Sequence, residues 1–274
     1  MLESSHRIGK LASWLRAALA LAIAFTVVAL AGCSGGGDGP PPMEGSIESR
    51  AIASGVNGST YPLSIYLPPA SAGPRAGLPI VYALDGDWWF SQLVGLMEAA
   101  HARVIVVGIG NNINRAHDYV PPNTCTGGGG GHAAYLQFIR TELIPFIEAN
   151  VGGDPARRAL LGHSHGGSFI YYALFAEAPG SHPFSAYLAS DSSIGCMPAT
   201  ADAWDAAYAA SHAELPVRLH MSHTSINNFD IAFAQRIRDR RYTGLVATEQ
   251  TYAGTHTGII PAAFADAIAF AFAP

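Results

Sequence analysis

Residues 158–168 run an apolar segment into Gly162-His163-Ser164-His165-Gly166 and then into a further glycine and a second apolar segment. A serine hydroxyl is a poor nucleophile while protonated, so this arrangement has chemical content only if a base and an anion-stabilising group stand beside it. A strand that ends in G-x-S-x-G and turns directly into a helix places the serine on a strained elbow. The amides at the start of that helix then face the position where an oxyanion forms. An ordinary Gly-rich turn is the alternative. His256, in the loop of "YAGTHTGIIPAAF", comes last in chain order, where the base of such a site belongs; it could instead be a surface histidine. His163 and His165 adjoin the serine and are read as pocket walls. Asp85-Gly86-Asp87 closes an earlier apolar segment, and its turn can present a second backbone donor. The amides of Asp87 and His165 are therefore the candidate oxyanion hole, where loss of one donor costs about 3 kcal/mol. Trp88, Trp89 and Phe90 follow, suited either to a substrate wall or to a helix core. The acid that orients the base is expected after the segment 217–223, yet no carboxylate lies between Glu214 and Asp230. Asp230 is the first candidate, though an acid in the first turn of a helix is also favoured there by the helix dipole. Asp191, ending "YLASD", is the reserve.

These groups need a scaffold that brings them to one edge. From about residue 45 onward strand and helix patterns alternate. Strands are expected at 61–68, 78–86, 103–110, 158–164, 184–190, 217–223 and 245–253. Helices are expected at 90–100, 131–151 with a kink or break at Pro145, after Ser164, at 229–241 and at 261–272. Continuous apolar strands alternating with helices predict an α/β fold with a mainly parallel sheet covered on both faces. Right-handed crossovers then bring the strand C-termini to one edge, where ligands bind in such sheets. No internal repeat and no linker after residue 45 divides the domain.

The chain has 274 residues, 49% hydrophobic and 13% charged, with a net charge of −5. That supports a sizeable core and excludes a disordered polyanion or a basic nucleic-acid binder. Arg7, Lys10 and Arg16 precede a long apolar segment that ends in Leu30-Ala31-Gly32-Cys33, and "SGGGDGPPP" follows. Residues 1–32 are expected to be an export leader, Cys33 a lipidated new N-terminus, 33–45 a flexible tether and 46–274 the folded domain. The protein is thus expected outside the cytoplasm, anchored to a bacterial membrane by lipid. Cys125 and Cys196 remain, a pair able to form a disulfide in that compartment. His220 and His223 lie three apart on a strand and point to opposite faces, so no metal site is expected there. No organic cofactor is implied.

The segments "YALDGDWWF", "VVGIG", "RAHDYVPP", "LIPFIEANVGGDPARRALLGHSHGGSFIYYALF" and "GTHTGIIPAAF" appear in the order found in the Putative esterase family of the α/β-hydrolase superfamily. The chain most resembles the branch related to bacterial siderophore trilactone esterases, over about residues 60–270. The resemblance implies a single α/β-hydrolase domain with Ser164 as nucleophile, His256 as base and the loop after Gly86 as oxyanion donor. It also suggests that Arg115 and Tyr119 lie near the substrate entrance. Two departures stand out. "HTSINN" occupies the place where the family carries its acid, and His165 follows the serine. The activity implied is hydrolysis of a small-molecule carboxylic ester through an acyl-enzyme on Ser164. The rivals are an acyltransferase on the same fold and a non-catalytic binding lipoprotein that has lost the acid.

Overall fold

The computed structural model describes residues 43–111 and 113–273. In chain order the elements are β1 (Ser46–Ala53), β2 (Thr60–Leu67), β3 (Ile80–Leu84), α1 (Gly86–Ala99), β4 (Ile105–Ile109), α2 (Arg115–Asp118), α3 (His132–Phe138), α4 (Ile144–Asn150), β5 (Arg158–His163), α5 (His165–Phe175), β6 (Ala186–Ser190), α6 (Pro198–Ser211), β7 (Arg218–Thr224), α7 (Asn228–Arg240), β8 (Val246–Tyr252) and α8 (Ile260–Ala271). The eight strands form one sheet in the order β1-β2-β4-β3-β5-β6-β7-β8. β1 and β2 join by antiparallel pairing; the strands from β4 through β8 are parallel.

The central strands are apolar on both faces because helices cover both. Ile80, Tyr82 and Leu84 of β3 enter one core with Tyr119, Tyr135, Phe138 and Phe169, whereas Val81 and Ala83 enter the other with Phe90, Leu93, Ile260 and Phe264. This alternation is the period-two consequence of the pleat. β3, β5 and β6 are neighbours, so α1 and α5 begin side by side at one edge of the sheet.

Two segments depart from the expected pattern. The helix expected over 131–151 is continuous through Pro145 but contains a π-helical stretch, Ile139–Leu143, between α3 and α4. Proline has no N–H to give to the carbonyl four residues back, and the wider π turn accommodates this without a break. β1 and the helix α6 were not legible in the sequence. β1 is an edge strand whose side chains are largely exposed, so it lacks an apolar signal. α6, "PATADAWDAAYAAS", buries only Ala201, Asp205 and Tyr208, too few for a stripe.

Candidate active site

Ser164 stands between β5 and α5 with φ 61° and ψ −122°, a conformation that costs a non-glycine residue steric strain. The surroundings enforce it. The Ser164 amide donates to the Ser190 carbonyl at 2.9 Å, and its carbonyl accepts from the amides of Ser168 and Ser193. A Cβ at Gly162 would sit 2.4 Å from the Gly166 carbonyl oxygen, and one at Gly167 only 2.9 Å from the Ser190 carbonyl oxygen. At Gly166 the nearest atoms would be 3.5 Å away, ordinary contact. The tight glycines of the elbow are therefore 162 and 167. The Ser164 hydroxyl lies 3.1 Å from the hydroxyl of Ser193, in a partly exposed position.

His256 reaches this corner from the loop between β8 and α8. Its Nδ1 is 2.6 Å from Asp191 Oδ2, and its ring lies tilted against that of His163, next to the serine, at 4.4 Å between centroids. With Nδ1–H given to Asp191, the lone pair is on Nε2. His256 keeps 48% of its side-chain surface exposed, while Asp191 is buried. Asp191 has φ 38° at the end of β6, and Oδ1 accepts from the Thr224 amide at 2.9 Å and from Asn227 Nδ2 at 2.9 Å. Burial alone would raise its pKa. The bonds from His256, Asn227 and Thr224 outweigh that and hold the carboxyl at about 2, so it is an anion at neutral pH.

Asp230 does not orient His256. It is buried in the third position of α7, where Oδ2 accepts from the Ser192 amide at 2.9 Å. Oδ1 accepts from the Ser192 hydroxyl at 2.6 Å and from the Tyr171 hydroxyl at 3.1 Å. The reason is local. α7 is capped by Asn227 and packs Phe233 on Tyr171, which turns Asp230 toward the inner side of the 191–193 loop. Burial pushes its carboxyl up to about 7. The end of β7, where an acid was expected, supplies donors to the acid at the end of β6 instead.

The first turns of α1 and α5 carry the amides of Asp87 and His165, and these helices follow the adjacent strands β3 and β5. First-turn amides have no acceptor inside their own helix. Gly86 is packed on the backbone of β4, where a Cβ would lie 2.4 Å from the Gly108 carbonyl carbon, so the turn admits no side chain there. Asp85, in the left-handed region at φ 53°, is buried and holds Arg115 through both oxygens, at 2.9 and 3.1 Å. Arg115 also lies 4.7 Å above the Trp88 ring, and Trp88 is 46% exposed. Tyr119 is not at an entrance. It is fully buried among Tyr135 and Phe169, and its hydroxyl accepts from the Asp85 amide. It packs inward because Asp85 needs a buried partner for that amide. His163 and His165 are buried and neutral, their pKa values lowered by burial to about 3 and about 4.

Cys125 and Cys196 are joined by a disulfide. It ties the glycine-rich loop before α3 to the turn that follows Ser193, and Thr124 adds two hydrogen bonds to the Cys196 carbonyl. Cys33 and the leader lie outside the described residues. Among the described residues no helix is long and apolar enough to cross a membrane.

Residues 54–226 match the family described as Putative esterase. The chain belongs to that family. Its sequence is 30% identical to a siderophore triacetylfusarinine C esterase of Aspergillus fumigatus over 180 residues, 58% of this chain and 60% of that protein. It is 29% identical to an apo-salmochelin esterase of Escherichia coli over 147 residues, 46% of this chain and 45% of that protein. The chain thus spans about half the length of the curated relatives it matches. The crystal structure of an IroE-like serine hydrolase from Shewanella oneidensis superposes with a TM-score of 0.73 at 26% identity, covering 81% of this chain and 79% of that one. The fold is of the α/β-hydrolase type, in agreement with the sequence.

Sequence reasoning placed Asp191 second, and it did not single out Ser193 or Asn227. A signal for Asp191 was present, since it is a carboxylate one residue beyond the strand adjacent to the elbow. Ser193 and Asn227 carry no comparable signal, because loop serines and asparagines are common and act here only through tertiary contacts.

Proposed function

We propose that this protein is a serine esterase acting on small-molecule carboxylic esters. The observation that carries the reading is the Asp191–His256 hydrogen bond of 2.6 Å beside a serine at φ 61° on a strand-to-helix elbow. Ser164 Oγ leaves Ser193, attacks the ester carbonyl carbon and gives its proton to His256 Nε2. The amides at 87 and 165 receive the developing oxyanion. The imidazolium is stabilised by the Asp191 carboxylate and returns the proton to the leaving alcohol. Water then attacks the acyl-enzyme, its proton passing through the same imidazole, and Ser164 is released. The alternative of a non-catalytic binder rested on the absence of an acid after β7; the bond from Asp191 to His256 supports the catalytic reading. The names of the relatives support an ester as the scissile bond.

The test is fluorophosphonate labelling together with hydrolysis of 4-nitrophenyl esters. Wild-type protein labels and turns over, whereas Ser164→Ala does neither. Labelling that persists in Ser164→Ala sinks the reading. Adding an acceptor alcohol and analysing products separates hydrolysis from acyl transfer. We read Cys33 as the lipidated residue of an exported, membrane-anchored protein; absence of a diacylglyceryl mass on the mature N-terminal peptide would overturn that.

A further inference from the structure

The cations of the described chain are distributed unevenly about the sheet. Arg75, Arg103, Arg157, Arg158 and Arg218 stand at or just before the starts of β3, β4, β5 and β7, on the edge opposite Ser164. Arg236, Arg238, Arg240 and Arg241 lie in the later turns of α7 and just beyond it, toward that same opposite edge. Arg140 is paired with Glu177, beyond the C-terminal end of α5, and Arg50 with Glu48 on the outermost strand. Among the described residues this leaves Arg115 as the arginine of the catalytic edge, and its Nε and Nη2 are held by the buried Asp85.

The other ionisable groups at that edge do not reverse the balance. Asp191 is an anion, Asp87 is exposed, and His117 is paired with Asp118 at 2.8 Å. His163 and His165 are buried neutral imidazoles. No lysine occurs after Lys10.

Among the described residues, four of the seven exposed large apolar side chains lie after the C-terminal ends of strands, at the catalytic edge; Met43, Ile47 and Val246 lie elsewhere. Trp88 after β3, Ile113 after β4, and Ile226 and Phe229 after β7 are exposed to 46, 94, 79 and 57%. Three of them are tied to the site through a neighbour. Trp88 lies under Arg115. Ile226 and Phe229 flank Asn227, which bonds Asp191, and the Phe229 ring lies against Gly195, two residues from Ser193. Large apolar side chains exposed around a polar reactive centre mark a surface that removes apolar ligand area from water.

We infer that the ester accepted at this edge is uncharged and carries an aromatic or aliphatic group that lies on Trp88, Ile226 and Phe229, and that anionic esters are discriminated against. The inference rests on the esterase reading and narrows it. Among the described residues, a carboxylate brought to this edge meets no unpaired arginine to offset its lost hydration.

The experiment uses the full chain and two 4-nitrophenyl esters matched in length, the pentanoate and the hemisuccinate. The neutral ester is expected to be favoured in kcat/KM by about 30-fold or more, equivalent to about 2 kcal/mol. Ile226→Arg and, separately, Phe229→Arg are expected to narrow that ratio several-fold, chiefly through KM; both positions are exposed, so either variant suffices. Equal or better turnover of the hemisuccinate by the wild type overturns the inference and leaves the esterase intact. A ratio unchanged in both arginine variants overturns the role of the rim. Failure of either ester to turn over, with no fluorophosphonate labelling, overturns the esterase reading itself.

Discussion

The loop that leaves β6 and the first turn that follows β7 each bring one buried aspartate to the same corner, and the two carboxylates end in opposite states. Asp191 collects the Thr224 amide, the Asn227 amide group and the imidazole of His256, and is held at about 2. Asp230 collects one amide and two hydroxyls, from Ser192 and Tyr171, and burial prevails over them, raising it to about 7. The difference lies in depth of burial and in partners: Asp230 is the more deeply buried, and the Asp191 anion beside it raises it further. An imidazole that takes a proton during reaction stabilises a neighbouring anion, whereas hydroxyls can accept as well as donate and so tolerate a neutral carboxyl. One aspartate is placed to serve the base; the other holds Ser192 and, through it, the backbone on either side.

The strongest way to break this comparison is to neutralise each aspartate in turn. Asp191→Asn leaves the size unchanged but removes the anion and the acceptor that fixes the His256 tautomer. We expect kcat/KM for ester hydrolysis to fall by roughly 10⁴. Asp230→Asn offers its oxygen to the Ser192 amide and its NH₂ to the two hydroxyls, so the loop keeps its bonds and kcat/KM is expected to fall less than about tenfold. Steady-state kinetics at neutral pH decides between them. If the Asp230 variant loses the larger factor, the roles given to the two carboxylates are reversed.

The β6 loop is also the one that is covalently anchored. Cys196 closes a 71-residue separation to Cys125, and no such tie reaches the turn at Asn227. Replacing both cysteines by serine is expected to lower stability by about 2–4 kcal/mol, read from the denaturant midpoint. Amide exchange should quicken more at 193–197 than at 225–230. Equal acceleration in the two segments would mean that the bond acts on the unfolded chain alone and does not hold this loop.

Most of what positions the site was legible because it is local. The β5–elbow–α5 unit announces itself by an apolar strand, a serine and the glycine at 162, where no side chain fits. The parallel sheet follows from its continuous apolar strands. What was not legible depends on contacts distant in sequence. Thr224 and Asn227 mark where the acid was expected, and only the pairing of β6 with β7 turns them into donors for Asp191. Tyr119 was expected at an entrance, but its burial is decided by the left-handed turn at Asp85, thirty-four residues away in sequence. β1 escaped notice because an exposed edge strand has little apolar pattern to read.

The smallest expected effect is on the pH dependence of stability, and it separates the two aspartates by sign. A carboxyl lowered by folding, as at Asp191, stabilises the fold above the unfolded value near 3.8, and that contribution is lost as pH falls through about 2. A carboxyl raised by folding, as at Asp230, acts the other way. Its contribution is complete below about 3.8 and is lost as pH rises through about 7, because the unfolded chain releases the proton more readily than the folded one. Asp230→Asn cannot ionise and removes the second dependence while leaving the first. The difference in Tm between wild type and Asp230→Asn is therefore expected to move against the wild type from pH 4 to pH 7, other groups cancelling in the subtraction. A difference that stays flat across that interval would mean that Asp230 is ionised throughout. In that case the two carboxylates are alike in charge and differ only in whom they bind.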